Sequence, residues 1–452
     1  MRSIDPSTGR VFASYEVMSL EAAVRAVEAT ERASRGWRER PIAERAAVIA
    51  RVGKLLRERK LALAELMVRE MGKPVVQAEA EVEKCAWVCE HYAEHGPAYL
   101  APEPVATDAS ESLVRFDPLG VVLAVMPWNF PLWQVFRFAA PALLAGNAGA
   151  LKHAPNVCGS ALAIRELWSA AGLPGGVFEV LFVSDDDADR LIAHPAVSAV
   201  TLTGSGRAGR AVGAAAGAAL KQVVLELGGS DAFIVLADAA LERAAEVAVK
   251  ARMQNNGQSC IAAKRFIVER AVAARFEALV VERVRALRVG SPLERETELG
   301  PLARADLRDA LARQVDASVA AGARLLTGGR ALPGPGFFYE PTVLAEVAPG
   351  MPAFDEETFG PLAALTVASD AEHALALANR SSYGLGCSLF TRDLGRARAL
   401  AARVEAGSVF VNEMVKSDPR LPFGGVKASG HGRELGREGA RAFTNVKTVY
   451  FG

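Results

Sequence analysis

The chain has 452 residues, 51% of them apolar, with 52 basic and 52 acidic side chains and a formal net charge of zero. That length supports two or three domains with large cores, and that balance argues against nucleic acid or an anionic membrane surface as the main partner. No apolar run reaches transmembrane length, residues 1–10 carry no secretory h-region, and the five scattered cysteines form no disulfide framework, so a reducing, cytoplasmic setting is expected.

The first hundred residues read as helical. Ser19 is placed to cap a segment with Leu20, Ala23, Val24 and Val27 on one face, and Gly36 is expected to stop it. Pro41 opens a second helix carrying Ile42, Val48, Ile49, Val52 and Leu56, and a third runs through Cys85 and Tyr92. Cys85, Cys89, His91 and His95 share that helix, but without CxxC spacing and without a common face, so no metal site is expected there. The stretch 101–110, with two prolines and no periodicity, reads as a linker.

From Val121 onward, short apolar runs alternate with amphipathic helices. Strands are expected at 121–126, 148–151, 177–182, 197–202 and 223–227, then at 232–236, 266–268, 362–367, 387–390 and 408–411. Helices are expected at 158–171, 207–220, 239–253, 272–287, 371–379 and 394–404. Such alternation means βαβ units and mostly parallel sheets, here two α/β domains joined near Glu226–Ser230.

Five segments carry chemistry. Gly204, Gly206 and Gly209 form a GxGxxG pattern after one apolar run and at the start of a helix, the setting in which glycines admit a pyrophosphate to helix-terminal amides. Pro127-Trp128-Asn129-Phe130-Pro131 follows a strand, where ligands bind in such sheets, and Asn129 offers a neutral donor for an oxyanion. Lys152 ends the next strand and suits a contact to cofactor ribose hydroxyls. Cys260 closes the polar run Gln254-Asn255-Asn256-Gly257-Gln258-Ser259, in which nearby amides are expected to hold a reachable thiolate. Glu226 ends an apolar strand, where burial would raise its pKa toward that of a general base; its spacing from the glycines equally suits a ribose ligand.

With Glu356-Glu357-Thr358-Phe359-Gly360-Pro361 and Leu421-Pro422-Phe423-Gly424-Gly425-Val426-Lys427, these segments occur in the order of the aldehyde dehydrogenase superfamily, which the chain resembles from about Ala33 to its C-terminus. The closer resemblance, carried by residues 152–157, 226–231 and 260–266, is to the shorter bacterial NAD(P)-dependent succinate-semialdehyde dehydrogenases. It implies a Rossmann-type cofactor domain (1–100 and 118–228), a catalytic domain (229–430) and a small β oligomerisation segment (101–117 and 431–452) giving a homodimer or homotetramer. It implies Cys260 as nucleophile, Glu226 as base rather than ribose ligand, and Asn129 as oxyanion donor. Lys152 and Glu357 would take riboses, Ser205 the pyrophosphate, and Phe359 the nicotinamide region, with Trp128, Pro155, Gly204 and Gly209 in the same cleft.

The resemblance also implies Phe130, Arg137, Gln254 and Ser417 on the substrate side. Arg137 would be a carboxylate clamp, while Gln254 stands where some relatives place a second arginine; Lys416, Ser417 or Arg420 would compensate. Many NAD-specific members carry a glutamate where this chain has Pro155, so NAD and NADP are both allowed, with a lean to NAD because no basic residue beyond Lys152 and His153 is evident. A thiol hydrolase would want a histidine partner for Cys260, and none of the six histidines lies in a recognisable motif.

Overall fold

The computed structural model describes all 452 residues. Two mostly parallel sheets organise it. The first has spatial order Gly430–His431, Gln222–Glu226, Val197–Thr203, Val121–Met126, Ala148–His153 and Phe178–Val180, parallel throughout except for its Gly430–His431 edge. The second runs Arg324–Thr327, Thr342–Ala345, Leu362–Ala368, Ala263–Glu269, Asp231–Val235, Gly386–Phe390 and Ser408–Val411, with only its Arg324–Thr327 edge antiparallel.

The second sheet shows why its strands read as continuous apolar runs. Ala232, Ile234 and Ile267 face one buried cluster, while Phe233, Val235, Phe266 and Val268 face another. Side chains alternate across a strand, so a sheet covered on both sides needs apolar residues at every position. Phe233 lies over Phe390 with ring centroids 4.6 Å apart, tying neighbouring strands together.

The N-terminal helices Leu20–Glu39, Ile42–Glu58, Lys60–Met71 and Val75–Tyr99 cover the first sheet and share its core with the helix Trp133–Ala145. Ser19 caps the first helix by accepting from the Ala22 N–H, but Gly36 does not stop it. The helix continues to Glu39 because Trp37 is buried and its indole N–H donates to the Leu143 carbonyl at 2.9 Å, a tertiary anchor that outweighs one glycine's helix penalty. Cys85 and Cys89 are both in that core.

Four residues, Leu227–Ser230, separate the first sheet's Glu226 from the Asp231–Val235 strand, so the chain passes through them from the carboxyl edge of one sheet to the amino edge of the next. A third, antiparallel sheet joins Thr444–Phe451, Glu111–Pro118 and Glu103–Pro104, the last inside the stretch read as linker. Residues 430–431, at the boundary drawn from sequence between catalytic and bridging segments, pair instead with Leu225 and Glu226 of the first sheet. No helix is long and apolar enough to cross a membrane.

Candidate active site

In the first sheet the order of strands reverses between Val121–Met126 and Val197–Thr203, and the loops leaving their carboxyl ends are Pro127–Pro131 and the glycine turn at 204–206. That is the switch point at which open parallel sheets bind ligands. Ser205 caps the helix Gly206–Ala218 by accepting from the Ala208 N–H. Gly209 has an intramolecular reason: a Cβ there would come within 2.5 Å of Leu227, so the glycine lets helix and strand close together. At Gly204 and Gly206 a Cβ would meet nothing nearer than 3.7 Å. The protein's own packing does not demand those two glycines, and the space they leave in front of the helix suits a pyrophosphate.

Lys152 is buried at the end of its strand and ion-pairs with Asp185, the first residue of the helix Asp185–Ala193. This partner holds the Asp185 carboxyl below its usual range. Pro155 is exposed in the turn that follows. Trp128 and Phe359 meet edge to face with centroids 5.8 Å apart. Glu357 points inward: it accepts from the Gly229 N–H at 3.0 Å and lies 3.6 Å from the Lys264 ammonium.

The Cys260 loop departs from its reading as a set of free donors. Asn255, Asn256, Gln258 and Ser259 are buried, and the amides of the first three are used on the protein's own backbone. Asn256 donates to the Gly72 and Pro301 carbonyls at 2.8 Å each, and the Gly300 N–H donates back to its side-chain oxygen. Asn255, Asn256 and Gly257 all have φ between 57° and 72°, three successive left-handed residues that turn the chain sharply before the thiol. A Cβ on Gly257 would overlap the Gly360 carbonyl, so this loop lies backbone against backbone on the Phe359 loop.

Lys264 completes the arrangement. Wholly buried, it donates to the Ser259 carbonyl at 2.9 Å and the Cys260 carbonyl at 2.8 Å. The thiol is not held as thiolate by amides. Burial pushes Cys260 up to about 11, against the lowering charges of Arg137 and Lys264.

Glu226 is buried with one carboxylate oxygen unpartnered, and burial lifts its pKa well above the carboxylate range, opposed by Arg137 and reinforced by Glu434. Its charge in turn acts on Cys260. Asn129 is buried and donates one amide hydrogen to the Gln258 carbonyl at 3.1 Å, which leaves the second hydrogen of that NH₂ group.

Cys260 opens into a cavity of about 850 Å³, also lined by Phe130, Trp133, Arg137, Gln254 and Ser417. Six cationic side chains and three carboxylates line this cavity. Arg137 is buried, ion-paired with Glu434, and donates to the Thr203 hydroxyl at 3.2 Å, with its guanidinium over the Phe423 ring. Its fork is therefore engaged inside the protein, where the sequence reading left it free for substrate. Phe130 lies 4.2 Å from the Lys73 ammonium, which is itself paired with Glu81. Ser417 is buried and accepts from Lys84.

The aldehyde dehydrogenase family pattern matches residues 1–449 of this chain. The chain belongs to the aldehyde dehydrogenase family. Its relatives include the succinate semialdehyde dehydrogenase [NAD(P)+] Sad of Escherichia coli, 51% identical over 99% of this chain and 97% of that one. A probable succinate-semialdehyde dehydrogenase [NADP(+)] of Synechocystis is 48% identical, with 99% of each chain covered. Among solved structures, succinic semialdehyde dehydrogenase from Streptococcus pyogenes in complex with NADP+ superposes with a TM-score of 0.97 at 36% identity, over 100% of this chain and 99% of that one.

Within this aldehyde dehydrogenase, three buried or half-buried ionisable residues that the sequence reading did not single out shape the site: Lys264, Glu434 and Lys84. Lys264 had a faint signal, as a lysine beside the apolar run Phe266–Val268 in the strand Ala263–Glu269. Glu434 and Lys84 had none, because each acquires its partners from segments far away in the chain.

Proposed function

We propose that the protein oxidises succinate semialdehyde to succinate with NAD(P)+ as hydride acceptor. The observation that carries the reading is a single cavity holding Cys260 together with Lys84 and Ser417, which joins a nucleophile to donors for a distal carboxylate. The names of the relatives support the same substrate.

In this reading Cys260, once deprotonated, attacks the aldehyde carbon and forms a thiohemiacetal. The free amide hydrogen of Asn129 and the Cys260 backbone N–H donate to the oxyanion. Bound NAD(P)+ would supply the hydride acceptor for that carbon, whose two-electron oxidation gives a thioester on Cys260. Glu226 then removes a proton from water, the water attacks the thioester, and the thiolate departs as the acid is released. The open glycines, Lys152 and the Trp128–Phe359 pair are the residues that would hold NAD(P)+.

The sequence reading leans to NAD. The relatives named above carry NAD(P)+ or NADP+, and on that support the reading adopted is acceptance of both with NADP+ preferred. Pro155 neither bonds a 2′-hydroxyl nor repels a 2′-phosphate.

The test is initial rates followed at the reduced-nicotinamide absorbance, with succinate semialdehyde and with butanal, each with NADP+ and NAD+. The expected kcat/KM for succinate semialdehyde exceeds that for butanal by about 100-fold. Equal values for the two aldehydes would sink the substrate assignment.

A further inference from the structure

Among the cations of the cavity that the sequence reading did not single out, Lys84 lies beside Trp133 and Ser417. Lys84 lies on the long helix Val75–Tyr99 and is half-buried. Its ammonium donates to the Ser417 hydroxyl oxygen at 2.7 Å and sits 4.3 Å from the centroid of the Trp133 ring. Trp133 and Ser417 both line the cavity with it.

Two cations near the Cys260 end are already neutralised. Lys73 pairs with Glu81, and Arg137 pairs with Glu434. The second Glu81 oxygen is occupied by the Leu132 and Trp133 N–H groups at 2.9 Å each. Lys84 has no carboxylate at ion-pairing distance; Glu81 and Asp418 act on it only as more distant charges. Burial, then the like charge of Arg137, push its pKa down to about 8, which marks a cation short of an anion.

The hydrogen-bond directions add a second argument. Ser417 accepts from Lys84, so its own O–H remains to be donated. The ammonium keeps two further N–H donors. A pair that turns three donors toward the cavity is matched by a group that offers only acceptors, which is what an ionised carboxylate is. The face of Trp133 shields the charge from water and strengthens such a pairing.

We infer that Lys84, with Ser417 beside it, is the specificity-determining residue of the cavity: its ammonium receives the distal carboxylate of a short ω-carboxy aldehyde while Cys260 takes the aldehyde end. This rests on the substrate reading above and names the residue behind it.

The experiment measures the ratio of kcat/KM for succinate semialdehyde to kcat/KM for butanal in the full-length enzyme and in Lys84→Met, Lys84→Arg and Ser417→Ala. A ratio within one enzyme is insensitive to the fraction of folded protein. Lys84→Met is expected to lower the ratio by about 30-fold, chiefly through KM for the semialdehyde. Lys84→Arg is expected to recover part of that loss, and Ser417→Ala to lower the ratio by about 5-fold. If the parent enzyme discriminates strongly and neither Lys84→Met nor Ser417→Ala changes the ratio, the Lys84 assignment falls while the substrate reading stands. A parent enzyme that does not discriminate overturns both. Should Lys84→Met fail to accumulate, the Ser417→Ala ratio decides alone, an unchanged value overturning the assignment.

Discussion

Cys260 and Glu226 are both acids whose pKa values are raised, mainly by burial. Groups shifted in this direction give up their protons at higher pH than usual, whereas attack on the aldehyde and activation of water each need the conjugate base. Turnover is therefore expected to rise with pH through the neutral and mildly alkaline range. Glu226→Gln is expected to slow deacylation by at least about 100-fold and let a thioester accumulate, detectable by intact-protein mass spectrometry after quenching. Rapid steady turnover in that variant would refute the base assignment. Asp185 makes a separate test possible. It neutralises Lys152 beside the proposed ribose site, so Asp185→Asn is expected to raise kcat/KM for NADP+ relative to NAD+ by about 5-fold, read from paired cofactor titrations. At this scale the residues proposed to react stood out in sequence because they end or follow strands or close a polar turn. Lys84 and Glu434 were not, since a lysine on a helix and a glutamate in a loop look like solvated charges until Trp133, Ser417 and Arg137 pack around them.

The turn from Asn255 to Gly257 is the element on which the site depends. It combines three left-handed residues with direct backbone contact to the Phe359 loop. Gly257→Ala would add both a strained φ and an overlap with the Gly360 carbonyl. It is expected to cost about 1–3 kcal/mol of stability, measurable by chemical denaturation, and to reduce activity more than a mere loss of stability would. A variant as stable and active as the parent would show that the contact can relax freely. Arg324–Thr327, Thr342–Ala345 and Gly430–His431, two to four residues long, were not read, whereas the central strands of both large sheets were legible as elements because they are apolar on both faces. The helix Trp133–Ala145 was not, for a related reason: all 13 of its residues are buried, so it has no polar face and shows no 3.6-residue period, and Pro141 within it reads as a break. The helix Ala305–Ala320 was overlooked for the opposite reason, with only Leu311, Val315 and Ser318 buried along it.

For the whole molecule, the outermost strand of the small sheet leaves an edge. Thr444–Phe451 pairs with Glu111–Pro118 on one side and leaves Val446, Tyr450 and Phe451 more than half exposed. The sequence reading expected these two segments to supply strands for assembly, and here they first pair with each other. We propose that the remaining edge is where subunits join, because unpaired apolar edges seek partners. Val446→Lys combined with Tyr450→Lys is expected to shift the enzyme to a smaller species by light scattering. An unchanged mass would place the subunit contact elsewhere.

The backbone contact between Gly257 and Gly360 also bears on how this enzyme could change. It fastens the Cys260 loop to the loop bearing Phe359, so the two pack as one unit. The cavity into which Cys260 opens has a second wall from other stretches of chain, notably the helices carrying Lys84 and Trp133 and the loop carrying Ser417. Mutation can remodel that second wall, and with it the range of molecules accepted, while the redox apparatus is inherited intact.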